Sequence, residues 1–161
     1  MQIRKTVAAD LAQIDEIYQN AKKFMRATGN QNQWNGERPN MQSAREDMEN
    51  GIGYVAEEKG KILAVFMFSQ NPDPTYAKIY DGEWLSDAPY GVIHRIAVAK
   101  HGQGIFGKCI DECFSRCGNL RIDTHRDNAP MQNALKKHGF VYCGVIYLEN
   151  GDERIAFQKV K

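Results

Sequence analysis

The chain has 161 residues, of which 42% are hydrophobic and 25% are charged, an ordinary composition for a globular protein. This length can bury one hydrophobic core, so we expect a single domain over residues 1–161. The formal net charge of +1 gives no electrostatic basis for binding nucleic acid or an anionic membrane. The sequence contains neither an apolar run of membrane-spanning length nor the apolar core of a signal peptide, so a cytoplasmic location is the default expectation.

The N-terminal half predicts a short strand, two helices and a hairpin. Residues 3–7 indicate a strand, and apolar residues at helical spacing between positions 11 and 25 predict a helix that Gly29 ends. A second helix is expected over residues 41–48. The apolar segments on either side of Lys59-Gly60 predict an antiparallel hairpin.

Residues 71–90 combine prolines with large aromatic residues and show no clear period. We therefore expect a long excursion from the sheet, and such excursions are often functional. Its aromatic residues, Tyr80 among them, could line a substrate pocket. They could equally cover a dimer face or an exposed hairpin, so a homodimer stays open.

The most informative segment is the glycine-rich turn that follows an apolar strand ending at Val98. Glycines stand at positions 102, 104 and 107, and helical spacing resumes behind them. Glycine lets backbone N–H groups approach a ligand closely, and a helix that begins there adds unpaired N–H groups. The turn therefore predicts an anion site suited to a pyrophosphate, with a tight structural connection as the alternative.

The spacing of these glycines differs from the two commonest phosphate loops. Lys108 is followed by Cys109, so there is no G-x-x-x-x-G-K-[ST] motif. The G-x-G-x-x-G match at 102–107 lacks its acidic partner about 20 residues on, where Arg121 stands. These departures disfavour a nucleotide-binding oxidoreductase.

The C-terminal part predicts a strand over residues 120–125, a helix opened by Asn128, and two strands joined at Asn150-Gly151. The whole order is strand, two helices, three strands, helix, strand, helix and two strands. It predicts an α/β architecture with a mixed sheet of about seven strands covered on both faces.

Three of the cysteines, Cys109, Cys113 and Cys117, recur every four residues on one helix face, and Cys143 stands apart. The chain contains no C-x-x-C pair, so we expect no metal site. Neighbours on one helix face are also poor disulfide partners. Small buried apolar residues with reduced thiols are the expected role.

Over essentially its full length, the chain resembles the GNAT acyltransferase superfamily. The family's acetyl-CoA signature is [RQ]-x-x-G-x-[GA] after a strand that ends in an apolar residue, Ala and Val. Residues 96–98 match that strand end, and residues 101–106 take the loop positions, with His101 in place of Arg or Gln and Phe106 in place of Gly or Ala. Asn128 and the Gly-Phe pair at 139–140 resemble the family's last helix and the strand after it.

The resemblance implies the GNAT fold, a mixed, mostly antiparallel sheet with helices on both faces and a splayed cofactor slot between strands four and five. It implies an enzyme that uses acetyl-CoA as co-substrate and acetylates an amine of a small molecule or a protein by direct attack in a ternary complex. The alternative is a non-catalytic module that binds or senses acyl-CoA. The residues expected to bind the cofactor lie at the strand end, in the loop and in two later segments: Ile96, Ala97, Val98, His101, Gly102, Gln103, Gly104, Ile105, Phe106, Gly107, Lys108, Thr124, Asn128 and Asn133.

His94 is the candidate general base. It stands two residues before Ile96, so strand alternation predicts that it shares a face with Ile96 and Val98. A half-buried structural histidine is the alternative. The tyrosine that many family members use as general acid corresponds to Leu135 here, so the proton for the leaving thiolate must come from elsewhere. Tyr147 is the candidate, and Tyr142 or water are the alternatives.

The resemblance implies that the acceptor binds beside the loop of residues 30–39, with Asn32 and Trp34 as candidate contacts together with Tyr80. His125 follows Asp123 by two residues, so the two side chains could form a polar pair beside the slot. Trp34 could instead fix its loop onto the core, and the polar pair could simply be residues of a strand end.

Overall fold

Seven strands form one mixed sheet in the computed structural model, which describes residues 1–161. In the sheet the strands follow the order β1-β2-β3-β4-β5-β7-β6. This arrangement confirms the predicted GNAT-like architecture. The elements in chain order are β1 (Gln2–Lys5), α1 (Leu11–Ala27), α2 (Met41–Glu49), β2 (Gly53–Glu58), β3 (Lys61–Ser69), β4 (Gly91–Val98), α3 (Ile105–Cys117), β5 (Asn119–Thr124), α4 (Ala129–Lys137), β6 (Val141–Tyr147) and β7 (Glu153–Val160).

Strands β4 and β5 are the parallel neighbours of this otherwise antiparallel sheet. They pair through two positions, Gly91 with Leu120 and Val92 with Arg121. Beyond Val92, β4 has no strand partner on that side, so the carboxyl ends of the two strands leave an opening. This opening is the predicted splayed slot.

A β-bulge interrupts β4 just before its end. Val65 of β3 faces Ala97 and Met67 faces His94, so two residues of β4 stand opposite one residue of β3. Arg95 lies in the bulge with a φ of 52°. Because the extra residue shifts the alternation of side chains, the prediction that His94 shares a face with Ile96 is wrong.

The contacts on the two faces of the sheet agree with this shift. Ile93 and Ile96 both pack with α3 in the larger cluster of buried apolar residues, which we call the main core. Ala97 packs with α1 in a smaller cluster, which we call the second core. His94 instead lies near Tyr76, on the face opposite Ile93. The bulge thus turns His94 away from the main core.

Helices cover both faces of the sheet, as the sequence predicts. Cys109 and Cys113 lie on α3 and are buried in the main core. Burial raises the pKa of the Cys109 thiol to about 12. Cys143 is buried as well, and no disulfide forms.

None of the helices combines the length and the apolar character that crossing a membrane requires.

Residues 71–90 form the expected excursion, and a buried glutamine fastens it to the sheet. The Gln158 side chain, 0% exposed, accepts from the Leu85 N–H at 2.7 Å. Its amide group donates to the Ser86 carbonyl at 3.0 Å and to Asn119 Oδ1 at 2.7 Å. Backbone groups of the excursion therefore form hydrogen bonds with side chains of β7 and β5.

An arginine holds the same segment from a second side. The Arg121 guanidinium lies over the rings of Trp84 and Tyr90, with its central carbon 4.0 and 4.1 Å from the ring centroids. It also donates to the Ser86 carbonyl at 2.7 Å. Together with Gln158, this contact fixes the excursion that carries Asp73 and Tyr76.

We predict that Gln158→Leu lowers the free energy of unfolding by about 2–4 kcal/mol, because buried polar groups of the excursion and of Asn119 lose their partners. Chemical denaturation measures this loss. The matched control is Gln132→Leu, since the Gln132 amide makes an exposed hydrogen bond to the Arg126 carbonyl. The control should cost less than about 1 kcal/mol, and equal losses in the two variants would contradict the anchoring role.

Candidate active site

Two clefts meet where β4 and β5 separate. We call the first the apolar cleft, because ten of its thirteen lining residues are hydrophobic. We call the second the polar cleft; it encloses about 330 Å³. The walls that the two clefts share are formed by Met25, Trp34, Ile96, Asn128 and Met131.

The glycine-rich loop adjoins the apolar cleft, whose lining includes His101 before the glycines and Phe106 after them. Gly102 and Gly104 have φ values of 78° and 71°, a backbone conformation that glycine adopts most easily. The N–H groups of Ile105, Phe106 and Gly107, in the first turn of α3, have no acceptor within the protein. A Cβ on Gly104 would meet open space. The loop thus presents free donors suited to an anionic group.

The other predicted loop residues have different surroundings. A Cβ on Gly107 would lie 2.4 Å from the His138 ring, so this glycine allows α3 to pack against the end of α4. His101 stacks on Phe24 with ring centroids 4.2 Å apart and lines the apolar cleft. Lys108 is exposed on α3.

Asn128 is both a helix cap and a wall of the two clefts. Its Oδ1 accepts from the Met131 N–H at 3.1 Å, which fixes the amide orientation, and its Nδ2 donates to Gln33 Oε1 at 3.0 Å. Gln33 Oε1 also accepts from Asn30 and Thr124. The Gln33 side chain therefore joins the loop of residues 30–39 to the ends of β5 and α4.

Trp34 lies where it could serve either of the two roles that the sequence leaves open, since it packs on the core and also lines both clefts. Its ring packs edge to face against Tyr18 of α1, with centroids 5.8 Å apart, and contacts the second core. The same side chain lines the apolar and the polar cleft. Its φ of 53° is unusual for a bulky residue, as found at sites where the surrounding structure imposes a conformation.

His94 is held between two carboxylates in the polar cleft. Its Nε2 lies 2.7 Å from Asp73 Oδ2, and its Nδ1 lies 3.9 Å from Asp123 Oδ2. Asp123 Oδ2 accepts a hydrogen bond of 2.6 Å from the Tyr76 hydroxyl. The excursion, β4 and β5 thus bring together four polar groups that lie far apart in sequence.

Hydrogen bonds to Asp73 decide its charge. Burial alone would raise the pKa of this carboxyl, but hydrogen bonds from His94 and Thr75 outweigh burial and lower the pKa to about 2. Burial and the Asp123 carboxylate raise the pKa of Tyr76 well above its ordinary value, so this hydroxyl keeps its proton. An ionised Asp73 needs a proton on His94 Nε2, which leaves Nδ1 as the proton-accepting nitrogen of the neutral ring.

Several predicted site residues lie away from the two clefts. Tyr147 and Tyr80 pack on each other near the β6 edge, with ring centroids 5.3 Å apart, and line neither cleft. Asn32 lines a neighbouring polar groove that shares Trp34 and Arg154 with the polar cleft, and Asn133 is exposed on α4. His125 does not pair with Asp123; its Nδ1 accepts from the Asp127 N–H at 3.0 Å, within a turn.

Other cleft residues carry no sequence signal that would single them out. Gln33 and Asp73 lie in loops, and Arg154 lies on β7, yet all three line the polar cleft. Leu135, at the position of the family tyrosine, is 0% exposed in the main core. From the sequence, Gln33 and Asp73 could be suspected only as polar members of the 30–39 loop and the 71–90 excursion.

Comparisons with known proteins show that the chain is similar to acetyltransferases. The family model described as Acetyltransferase (GNAT) family matches residues 12–140. The crystal structure of a GNAT-family acetyltransferase from Streptococcus agalactiae has a TM-score of 0.90 and 32% identity, covering 99% of this chain and 95% of that one. No curated protein is significantly similar to the chain.

More distant structures share the fold. A ribosomal-protein-alanine N-acetyltransferase from Brucella melitensis has a TM-score of 0.63 at 19% identity and covers all of both chains (100% and 100%). The Salmonella typhimurium protein yncA, solved with its cofactor acetyl-CoA, has a TM-score of 0.59 at 19% identity, covering 98% of this chain and 91% of that one. At these identities the likeness concerns the fold.

We predict that Asp73 stays ionised to unusually low pH. Since its pKa is lowered from 3.8 to about 2, the carboxylate stabilises the folded protein above pH 3.8, and this contribution is lost as the pH falls from 3.8 to about 2. Carboxyl-carbon NMR of Asp73 measures the titration directly. His94→Gln should raise the midpoint towards the ordinary value, whereas a wild-type midpoint near 3.8 would contradict the hydrogen-bonded pair.

Proposed function

Since this chain belongs to the acetyltransferase (GNAT) family, we propose that it transfers the acetyl group of acetyl-CoA to an amine held in the polar cleft. The family uses acetyl-CoA as co-substrate. The observation that carries the proposal is the junction of the two clefts: they share Ile96 and Asn128, and His94 lines the polar one. An acyl donor in the apolar cleft and an amine beside His94 would meet at that shared wall.

The residues of the apolar cleft fit the chemistry of acetyl-CoA. The free N–H groups at the start of α3 suit its phosphates, and the apolar walls suit its acyl arm. Beyond Val92, the side of β4 that faces the opening has no strand partner, so it can pair with an extended ligand. When bound, acetyl-CoA supplies the thioester carbonyl that the amine attacks.

His94 is proposed to take the proton of the amine. Its Nε2–H is held by Asp73, so Nδ1 keeps a lone pair that can accept a proton directly or through a water. Once protonated, the ring lies between the carboxylates of Asp73 and Asp123, which stabilise its charge. The same carboxylates favour the approach of a cationic amine.

Backbone N–H groups near the end of β4, in residues 96–98, are proposed to stabilise the oxyanion that forms on the carbonyl oxygen. The bulge at Arg95 changes the direction of the backbone at this point. Direct transfer needs no protein nucleophile, and burial keeps the Cys109 and Cys113 thiols protonated by raising their pKa values.

A non-catalytic acyl-CoA-binding module is the second candidate. Leu135 is buried where many family members have their acid tyrosine, and Tyr147 lines neither cleft. This candidate requires acetyl-CoA binding without thiol release in the presence of any amine. Measuring free thiol against a panel of amines separates the two functions.

We predict that His94→Gln lowers kcat by roughly tenfold to a thousandfold, because the amine loses its proton acceptor. Binding of acetyl-CoA should change little, since His94 does not line the apolar cleft. His125→Gln is the matched control, because His125 lies outside both clefts and should retain kcat within about twofold. Full activity in His94→Gln would make this histidine structural.

We predict that acetyl-CoA raises the melting temperature of the wild type, and that Gly104→Val removes most of the rise. The valine side chain would fill the open space where the loop presents its N–H groups. Gly151→Val is the matched control: Gly151 also has open space around it and a positive φ, 90°, so its backbone strain is comparable. An equal loss of the thermal shift in both variants would contradict a phosphate-binding loop.

A further inference from the structure

The polar cleft contains two arginines with different surroundings. Arg95 is neutralised by Asp47, which it contacts through two hydrogen bonds of 3.1 and 2.7 Å. Arg154 donates one hydrogen bond, at 2.9 Å to the Glu153 carbonyl, and forms no salt bridge within 4.0 Å. A guanidinium has five N–H donors, so most of those on Arg154 are free to bind a ligand.

The acidic neighbours of Arg154 are engaged elsewhere. The Glu153 carboxylate pairs with Arg126, and the Asp152 carboxylate accepts from the Asn150 amide at 3.1 Å. Arg154 itself stands on β7, opposite Ile146 of β6, so the sheet fixes its backbone. The result is an unpaired cation on a rigid element that faces the polar cleft.

The register of the sheet brings this cation close to the acidic side of the cleft. Asp123 pairs with Ala156, and Arg154 stands two residues before Ala156, so both side chains project from one face of the sheet. Such diagonal neighbours are about 7–8 Å apart. The cleft therefore offers carboxylates and a proton acceptor at one end and a free guanidinium a short distance away.

We infer that the acceptor is a small amine that also carries a carboxylate, as an amino acid does, and that Arg154 binds this carboxylate. The forked guanidinium matches a carboxylate in two parallel hydrogen bonds. The amine of such a molecule then lies beside His94 and Asp123. The inference rests on the proposed function and assigns the substrate class of the same site.

The test compares amino acids with their amides, which have nearly the same shape but no negative charge. Free thiol release is measured with wild type, Arg154→Met and the control Arg45→Met, since Arg45 is exposed on α2 outside both clefts. Wild type and Arg45→Met should favour the amino acids in kcat/KM by about 10- to 100-fold. Arg154→Met should lose this preference and keep its activity on the amides.

The preference cannot arise from the amine itself, because the amine of an amide loses its proton more readily than that of the amino acid. A wild-type preference for amides, or an equal loss on both substrates in Arg154→Met, would overturn the inference. Transfer to amides without any carboxylate preference would overturn it and leave the proposed function standing.

If no amine is acetylated, the proposed function is refuted. A binding measurement then still tests whether Arg154 recognises a carboxylate. N-acetyl amino acids are titrated into the protein in the presence of CoA, and the fluorescence of Trp34 in the shared wall is followed. Trp84 also emits, and because it is unchanged in both wild type and Arg154→Met, the two titrations are compared directly. Binding about tenfold weaker in Arg154→Met supports carboxylate recognition, and equal binding contradicts it.

Discussion

The functional geometry of this protein depends on two parallel strands that pair over only two positions. Gly91 and Val92 hold β4 against β5, and no further pair forms. The unpaired ends create an opening that a continuous antiparallel sheet would close. Both clefts lie at this opening, so Ile96 and Asn128 can form a wall common to them. The position of the proposed transfer site thus follows from where strand pairing stops.

A second constraint turns the His94 side chain towards one of these clefts. The bulge at Arg95 shifts the alternation of β4, so Ile93 and Ile96 share the main core while His94 faces the excursion. The excursion in turn brings Asp73 within 2.7 Å of the His94 ring. Its position depends on buried contacts of Gln158 and Arg121, which line neither cleft. The packing of the excursion on the sheet therefore determines which polar groups surround His94.

The sequence predicts the order of the elements, because hydrophobic periodicity and glycine positions record local structure. The strand ending at Val98 and the helix opened by Asn128 are confirmed. It does not predict the face of His94, since a bulge arises from pairing between strands and leaves no local pattern. Nor does it predict Asp73 as its partner, because the two residues are 21 positions apart and Asp73 belongs to the excursion, whose path the local sequence does not record. Tyr147 shows the same limit, because its packing on Tyr80 is a contact with the excursion that no local pattern predicts.

The central claim is that donor and acceptor occupy the joined clefts together and react without a covalent enzyme intermediate. The most direct test is the initial-rate pattern when acetyl-CoA and an amine acceptor are varied against each other. Double-reciprocal lines that intersect are expected, because both molecules must be bound before transfer. Parallel lines would show that the acetyl group leaves acetyl-CoA before the amine binds, and they would contradict this account.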